Sequence, residues 1–263
     1  MLTQAEIDTF LRDGHVALRG AVPAAIAAAC RDVVWSELSQ RGVDRDDRST
    51  WNAPVVRINC PEGGPFVEAG TRPVVQEACD QLIGAGRWWR HPGVGGTIPV
   101  RFPSEEDPGD AGWHIESSYM QDGKPWVNVF SRARGLLAIY LLTDDEPGGA
   151  PTRLRPGSHL DVPQILAPAG DGGLDWSVAA PMAAEASAHR PTVLASGRAG
   201  DVFLCHPFLV HAASWPHRGQ LPRMIAQPAV TLKDQFPLSP DADLSPVEQA
   251  ILAALPAGLP PRR

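Results

Sequence analysis

Apolar residues keep a helical spacing as far as the Trp88-Trp89 pair and then fall into short runs broken by Gly, Pro and Asp. Thr3 and Glu6 form a capping box, in which the hydroxyl accepts an amide of the first turn and the carboxylate reaches back to the cap amide. A helix over residues 4–13 follows, ended by Gly14. His15–Arg19 alternates as a short strand. Pro23 then opens a helix through Ala24–Gln40 that stops at Gly42, and Pro73–Ile83 reads as another.

Beyond residue 95 the runs have strand length. Thr97–Phe102, Gly112–Ser117, Leu136–Leu142, Thr152–Leu154, Thr192–Leu194, Asp201–Cys205, His211–Ser214 and Met224–Leu232 are the expected strands. Short strands behind a helical section predict a mainly β protein with flanking helices: a double-stranded β-helix, or jelly roll, with helices packed on one sheet. The expected organisation is a single domain over residues 1–263: helical to about residue 90, a β core over about 95–232, and a helix over about 245–255 capped by Ser245 and Glu248. Residues 161–190 read as a loop over the mouth of the barrel with one short helix in it, and the Pro/Arg-rich tail as loose.

Composition excludes more than it identifies. A net charge of -7 without a basic block argues against a nucleic-acid footprint. No apolar run reaches membrane-spanning length, and residues 1–6 lack a basic-then-apolar leader, so a cytoplasmic location is expected. Four cysteines (30, 60, 79 and 205) have no close metal-ligand spacing and are expected as buried free thiols.

The chemistry concentrates at Gly112-Trp113-His114-Ile115-Glu116. In an extended strand, residues two apart share a face, so the His114 imidazole and the Glu116 carboxylate converge as two metal ligands. A second imidazole comes from His206 or His211, which Pro207 separates into different segments. His206 closes a strand and is expected to be structural. His211 opens the next, and a reversal through Trp215–Gln220 returns Arg223 to its depth, where a guanidinium can bind the far end of a dicarboxylate. Two imidazoles and one carboxylate with open positions is the facial arrangement of non-haem Fe(II) oxygenases.

Three elements in this order, Gly112-Trp113-His114 with Glu116, Pro156-Gly157-Ser158-His159, and Gly200-Asp201-Val202 through His206-Pro207 to His211 and Arg223, resemble the phytanoyl-CoA dioxygenase family of Fe(II)- and 2-oxoglutarate-dependent oxygenases. The resemblance runs from the opening helix to about Gln227. It implies Fe(II) on His114, Glu116 and His211, with 2-oxoglutarate as co-substrate held at its distal carboxylate by Arg223, and O2 as oxidant. Arg101 is a further anion contact, with a surface ion pair to Glu105 or Glu106 as the alternative. Arg153 is similar, and Ser214 is a further co-substrate contact. His159 is expected as a structural turn element. Glu116 departs from the Asp usual at this position, and the extra methylene moves the carboxylate outward; a carboxylate there disfavours halide delivery.

The function expected is hydroxylation or oxidative cyclisation of a small molecule in specialised-metabolite biosynthesis, with sugar-containing antibiotics among the substrates. Trp113, Trp126, Trp176 and Trp215 are candidates for the pocket wall. The alternatives are acyl-CoA hydroxylation within the same family and, in another class, a jelly-roll binding protein without turnover. Oligomeric state is not legible.

Overall fold

A computed structural model describes residues 1–239, 243–255 and 258. The capping box opens α1 (Gln4–Asp13), and Gly14 closes it in the left-handed region at φ 79°. A Cβ at Gly14 would lie 2.5 Å from His159 Nδ1, so this glycine also permits a close approach. Then come β1 (His15–Leu18), α2 (Ala24–Ser39), β2 (Val55–Asn59), α3 (Pro65–Gly70), α4 (Pro73–Ile83) and β3 (Thr97–Arg101). The middle of the chain supplies β4 (Tyr119–Gln121), β5 (Lys124–Val127), β6 (Arg134–Leu141), β7 (Arg153–Leu154), α5 (Val162–Leu166), β8 (Leu174–Asp175) and α6 (Trp176–Ala186). The remainder forms β9 (Val193–Leu194), β10 (Val202–Cys205), β11 (His211–Ala212), β12 (Arg223–Ala226), β13 (Ala229–Thr231) and α7 (Pro246–Ala253), the last capped by Ser245 and Glu248 as expected.

The strands form a mainly antiparallel jelly-roll-type fold. The main sheet runs β1-β10-β6-β12-β3-β2, with β13 also on β6, and a smaller sheet runs β11-β7-β9. Alternation along β6 divides the core. Leu136, Ala138, Tyr140 and Leu142 pack into a large cluster with the helices, including Phe10 of α1, Leu82 of α4 and Ile251 of α7. Leu137, Ile139 and Leu141 point the other way and meet Leu154 of the smaller sheet, with Phe203, Cys205 and Ile225 beside them. Both faces of the main sheet are therefore buried, one under helices and one under the second sheet. The same alternation decides the site. On β12, Met224 and Ala226 join the helical side, so Arg223 and Ile225 face the space between the sheets.

Three expectations need correction. Residues 112–117 form no strand, only a single bridge between His114 and His211. The nearby backbone takes other partners: the Ile115 carbonyl accepts the side-chain Trp176 Nε1–H, and the Ser118 amide donates to the Trp126 carbonyl. The run Met224–Leu232 is split at Gln227-Pro228, because proline has no amide for the ladder. Residues 161–190 are largely helical, not a loop, with α6 spanning the Ala-rich stretch despite Pro181 inside it. The tail expectation falls on residues that, 255 and 258 apart, lie outside those described. All four cysteines are free and buried, as expected. Among the described residues, no helix is long and apolar enough to cross a membrane.

Candidate metal centre

His114 and His211 face each other across reciprocal backbone hydrogen bonds, His114 N–H to the His211 carbonyl at 3.0 Å and the reverse at 2.9 Å. Each imidazole is then fixed by its own chain. His114 Nδ1 lies 2.8 Å from the Gly112 carbonyl and His211 Nδ1 lies 3.0 Å from the Leu209 carbonyl. A carbonyl can only accept, so both rings carry a proton on Nδ1 and turn Nε2 toward one another's space. A hydrogen bond from the ring nitrogen that faces away from the metal sets the tautomer of a ligating histidine. The ring centroids are 4.5 Å apart.

Glu116 completes the group: one ligand atom from each of His114, Glu116 and His211 lies within 4.8 Å of the others. Glu116 Oε1 is 3.4 Å from His211 Nε2, and Oε2 is 3.3 Å from Arg134 Nη2. Burial pushes the Glu116 carboxyl upward, but His211, the Arg134 charge and His114 outweigh it and hold the group near 2, so it is anionic at neutral pH. Burial, then His211, lowers His114, which keeps it neutral and able to ligate. His211 is 2% exposed, and among the described residues its buried Nε2 has no hydrogen-bond partner. Such an orphan costs free energy unless something meets it. Two Nε2 lone pairs and a carboxylate oxygen aimed at one point suit a divalent cation of borderline character, so these residues fit iron.

The group lines a cavity of about 600 Å³ between the sheets, shared with Arg101, Arg223, Thr152, Trp113 and Trp176. Arg223 and Arg101 are paired residues on β12 and β3, so their side chains leave the same face of the sheet. Two adjacent guanidiniums are compensated from either side. Asp110 accepts a 2.8 Å hydrogen bond from Arg101 and also binds Arg57, while Asp145 lies 3.5 Å from Arg223 Nε. Arg223 Nη2 also donates to Thr152 Oγ1 at 3.2 Å. Burial lowers the Arg223 guanidinium to about 10 and Asp145 opposes the shift, so it stays charged at neutral pH.

The surface ion pair weighed for Arg101 is absent; Glu105 pairs with Arg218. Ser214 is not among the cavity-lining residues, and its hydroxyl donates to the Pro151 carbonyl. Arg153 is engaged with the carbonyls of Ala111 and Ala213 and lies over the Trp113 ring. Of the four tryptophans only Trp113 and Trp176 line the cavity; Trp126 sits in β5, and Trp215 is 43% exposed. Asp110, Thr152 and Arg134 escape sequence reading, because their contacts depend on strand register and loop paths and no motif spacing marks them.

His159 and His206 lie outside this group and serve the core. Their rings are 5.0 Å apart, with His159 Nε2 on the Leu11 carbonyl and His206 Nε2 on the Val247 carbonyl, tying α1 and α7 to the sheet. Burial lowers both, His159 to about 4. Their folded pKa values lie below the unfolded value, so the unfolded chain binds more protons at intermediate pH. Stability is then full above about pH 6.5 and falls as pH drops toward about 4. Urea unfolding of the metal-free protein across that range is expected to show a steady loss, by up to about 3 kcal/mol for His159 alone; a flat profile would contradict the buried neutral pair.

The family model described as phytanoyl-CoA dioxygenase (PhyH) matches residues 10–225, a span that contains His114, Glu116, His211 and Arg223. The chain belongs to the phytanoyl-CoA dioxygenase family. A comparison with curated proteins by sequence finds no match. Among solved structures, the chain is similar to SnoK, a non-haem alpha-ketoglutarate-dependent carbocyclase from nogalamycin biosynthesis, with 19% identity, 90% of this chain and 87% of that one covered, and TM-score 0.61. It is also similar to the epimerase SnoN in complex with Fe3+, alpha-ketoglutarate and nogalamycin RO (19% identity, 87% and 82% covered, TM-score 0.59). HygX from Streptomyces hygroscopicus, with nickel and 2-oxoglutarate bound, is a third (14% identity, 86% of each chain, TM-score 0.54). At these identities the structural likeness speaks for the fold.

Proposed function

We propose that this protein is an Fe(II)- and 2-oxoglutarate-dependent oxygenase that hydroxylates or oxidatively cyclises a small molecule in specialised-metabolite biosynthesis. The observation that carries the reading is the convergence of His114, Glu116 and His211, with a buried and partnerless His211 Nε2, in the cavity that Arg223 enters from the facing sheet. His114, Glu116 and His211 would hold the iron, and Arg223 the distal carboxylate of 2-oxoglutarate. Bound iron supplies dioxygen activation coupled to decarboxylation of 2-oxoglutarate to succinate. The chain itself fixes the Nδ1 proton of both imidazoles, keeps Glu116 ionised and Arg223 charged, and lines the cavity with Trp176 of α6.

The charge pattern supports a small substrate over an acyl-CoA. A CoA headgroup needs free cations at the mouth, whereas Arg57 and Arg101 are both engaged by Asp110, and Arg153 and Arg155 are bound to backbone carbonyls beside Trp113. A cavity of about 600 Å³ exceeds what 2-oxoglutarate needs and lies within the usual range for small-molecule sites. SnoK is from nogalamycin biosynthesis, SnoN is in complex with nogalamycin RO and HygX is also known with hygromycin B bound, which accords with such a substrate for this chain. The test is aerobic incubation with Fe(II), ascorbate and 2-oxoglutarate. Succinate is expected to form slowly without a substrate and to stop when iron is chelated; succinate at the protein-free rate would sink the reading and favour a binding protein without turnover.

A further inference from the structure

Glu116 presents an awkward ligand: a long, flexible carboxylate on a segment with no regular secondary structure. The backbone around it is pinned at His114, by the bridge to His211, at Ile115, whose carbonyl accepts Trp176 Nε1–H, and at Ser118, by its amide on Trp126. Nothing in those contacts fixes the side chain or decides whether one oxygen or two would face a cation. Arg134 does. It opens β6, the central strand of the main sheet, and its side chain is only 15% exposed. Nε donates to the Ser117 carbonyl at 2.6 Å, and Nη2 lies 3.3 Å from Glu116 Oε2. One guanidinium thus grips the backbone just after Glu116 and the farther oxygen of its carboxylate, leaving Oε1 beside His211 Nε2.

We propose that Arg134 is a positioning residue that clamps Glu116 so that it offers the metal one oxygen, Oε1, as a monodentate ligand. The inference rests on the metal-site reading above. Arginine suits the task because its planar fork serves two acceptors at once, which a lysine ammonium on a flexible stem does not reproduce. Monodentate ligation leaves a coordination position free for the co-substrate and oxidant, as a site of this class requires. The clamp also gives the glutamate arm a purpose: its extra methylene lets one oxygen reach Arg134 while the other faces the imidazoles, and a shorter aspartate would have to give up one of them.

The test is Mn(II) affinity of the intact metal-free protein, read by the loss of the free-ion paramagnetic resonance signal, together with the visible ligand-field spectrum of the Co(II) form. Arg134→Met is expected to weaken Mn(II) binding by about 10- to 100-fold, the usual range for loss of an outer-shell partner. Its Co(II) bands should lose intensity as the released carboxylate becomes bidentate and the coordination number rises. Arg134→Lys, which keeps charge and stem, should fall between the two. In a Glu116→Asp background, Arg134→Met should change the affinity by less than about 3-fold, because the shortened arm no longer reaches the guanidinium. Wild-type affinity and spectrum in both Arg134 variants, or an equal loss in the Glu116→Asp background, would overturn the clamp while leaving the metal site standing. A wild-type chain that binds no Mn(II) would overturn the metal site, and the clamp with it.

Discussion

A His211→Ala chain is expected to stay folded while losing its metal. The imidazole makes one side-chain hydrogen bond, from Nδ1 to the Leu209 carbonyl, and its Nε2 has no partner. Truncation in the metal-free protein therefore costs about 1 kcal/mol for the lost bond and removes an unsatisfied buried atom at the same time. With metal the balance reverses, because one of three protein ligands is gone. Affinity should fall by more than the roughly 100-fold upper range seen for outer-shell partners. Melting curves separate the two effects. Metal at about 100 times its dissociation constant stabilises a folded protein by about 2.7 kcal/mol. Wild type should melt visibly higher with Mn(II) present, and His211→Ala should show no such rise. A variant that still gains the full increment would remove His211 from the ligand set.

Arg223→Ala should separate co-substrate binding from metal binding. The guanidinium is 6% exposed, lies 3.5 Å from Asp145 and bonds Thr152, so the residue is held in place before any co-substrate arrives. Truncating one partner of a buried, hydrogen-bonded charge pair costs about 2–5 kcal/mol, or roughly 30-fold and upward in affinity. KM for 2-oxoglutarate is expected to rise by at least that factor, with Mn(II) affinity within a few-fold of wild type. Arg101, paired with Arg223 in the sheet, is already engaged by Asp110 and is not expected to compensate. A KM unchanged in Arg223→Ala would mean that the dicarboxylate lands elsewhere, with Arg101 the first residue to try.

How much of this was legible beforehand follows from what each feature depends on. The capping boxes at Thr3 and Ser245 are local, and both helices start where the sequence placed them. Strands such as β6 and β10 were legible because both their faces are buried and their apolar runs are continuous. The convergence of His114 and Glu116 was anticipated, but for an incomplete reason. No strand exists at 112–117; one bridge and the reach of a glutamate bring the groups together. The hairpin of β4 and β5 was missed although Asp122-Gly123, both at positive φ, is a strong turn signal. Helix α6 was missed because a proline and an Ala/Gly-rich surround hide its pattern, yet it brings Trp176 to the cavity. Arg134 could not have been found from spacing, since only the packing of β6 against residues 116–117 gives it a role.

The central claim is that one cavity holds an iron site and a dicarboxylate site built from facing sheets. Its most direct test is anaerobic addition of Fe(II) and then 2-oxoglutarate to the intact protein, followed by visible absorption. A weak charge-transfer band from the chelated co-substrate is expected in wild type, absent in His211→Ala and shifted to much higher 2-oxoglutarate concentration in Arg223→Ala. No band in wild type, or a band of equal strength at limiting 2-oxoglutarate in both variants, would contradict the account.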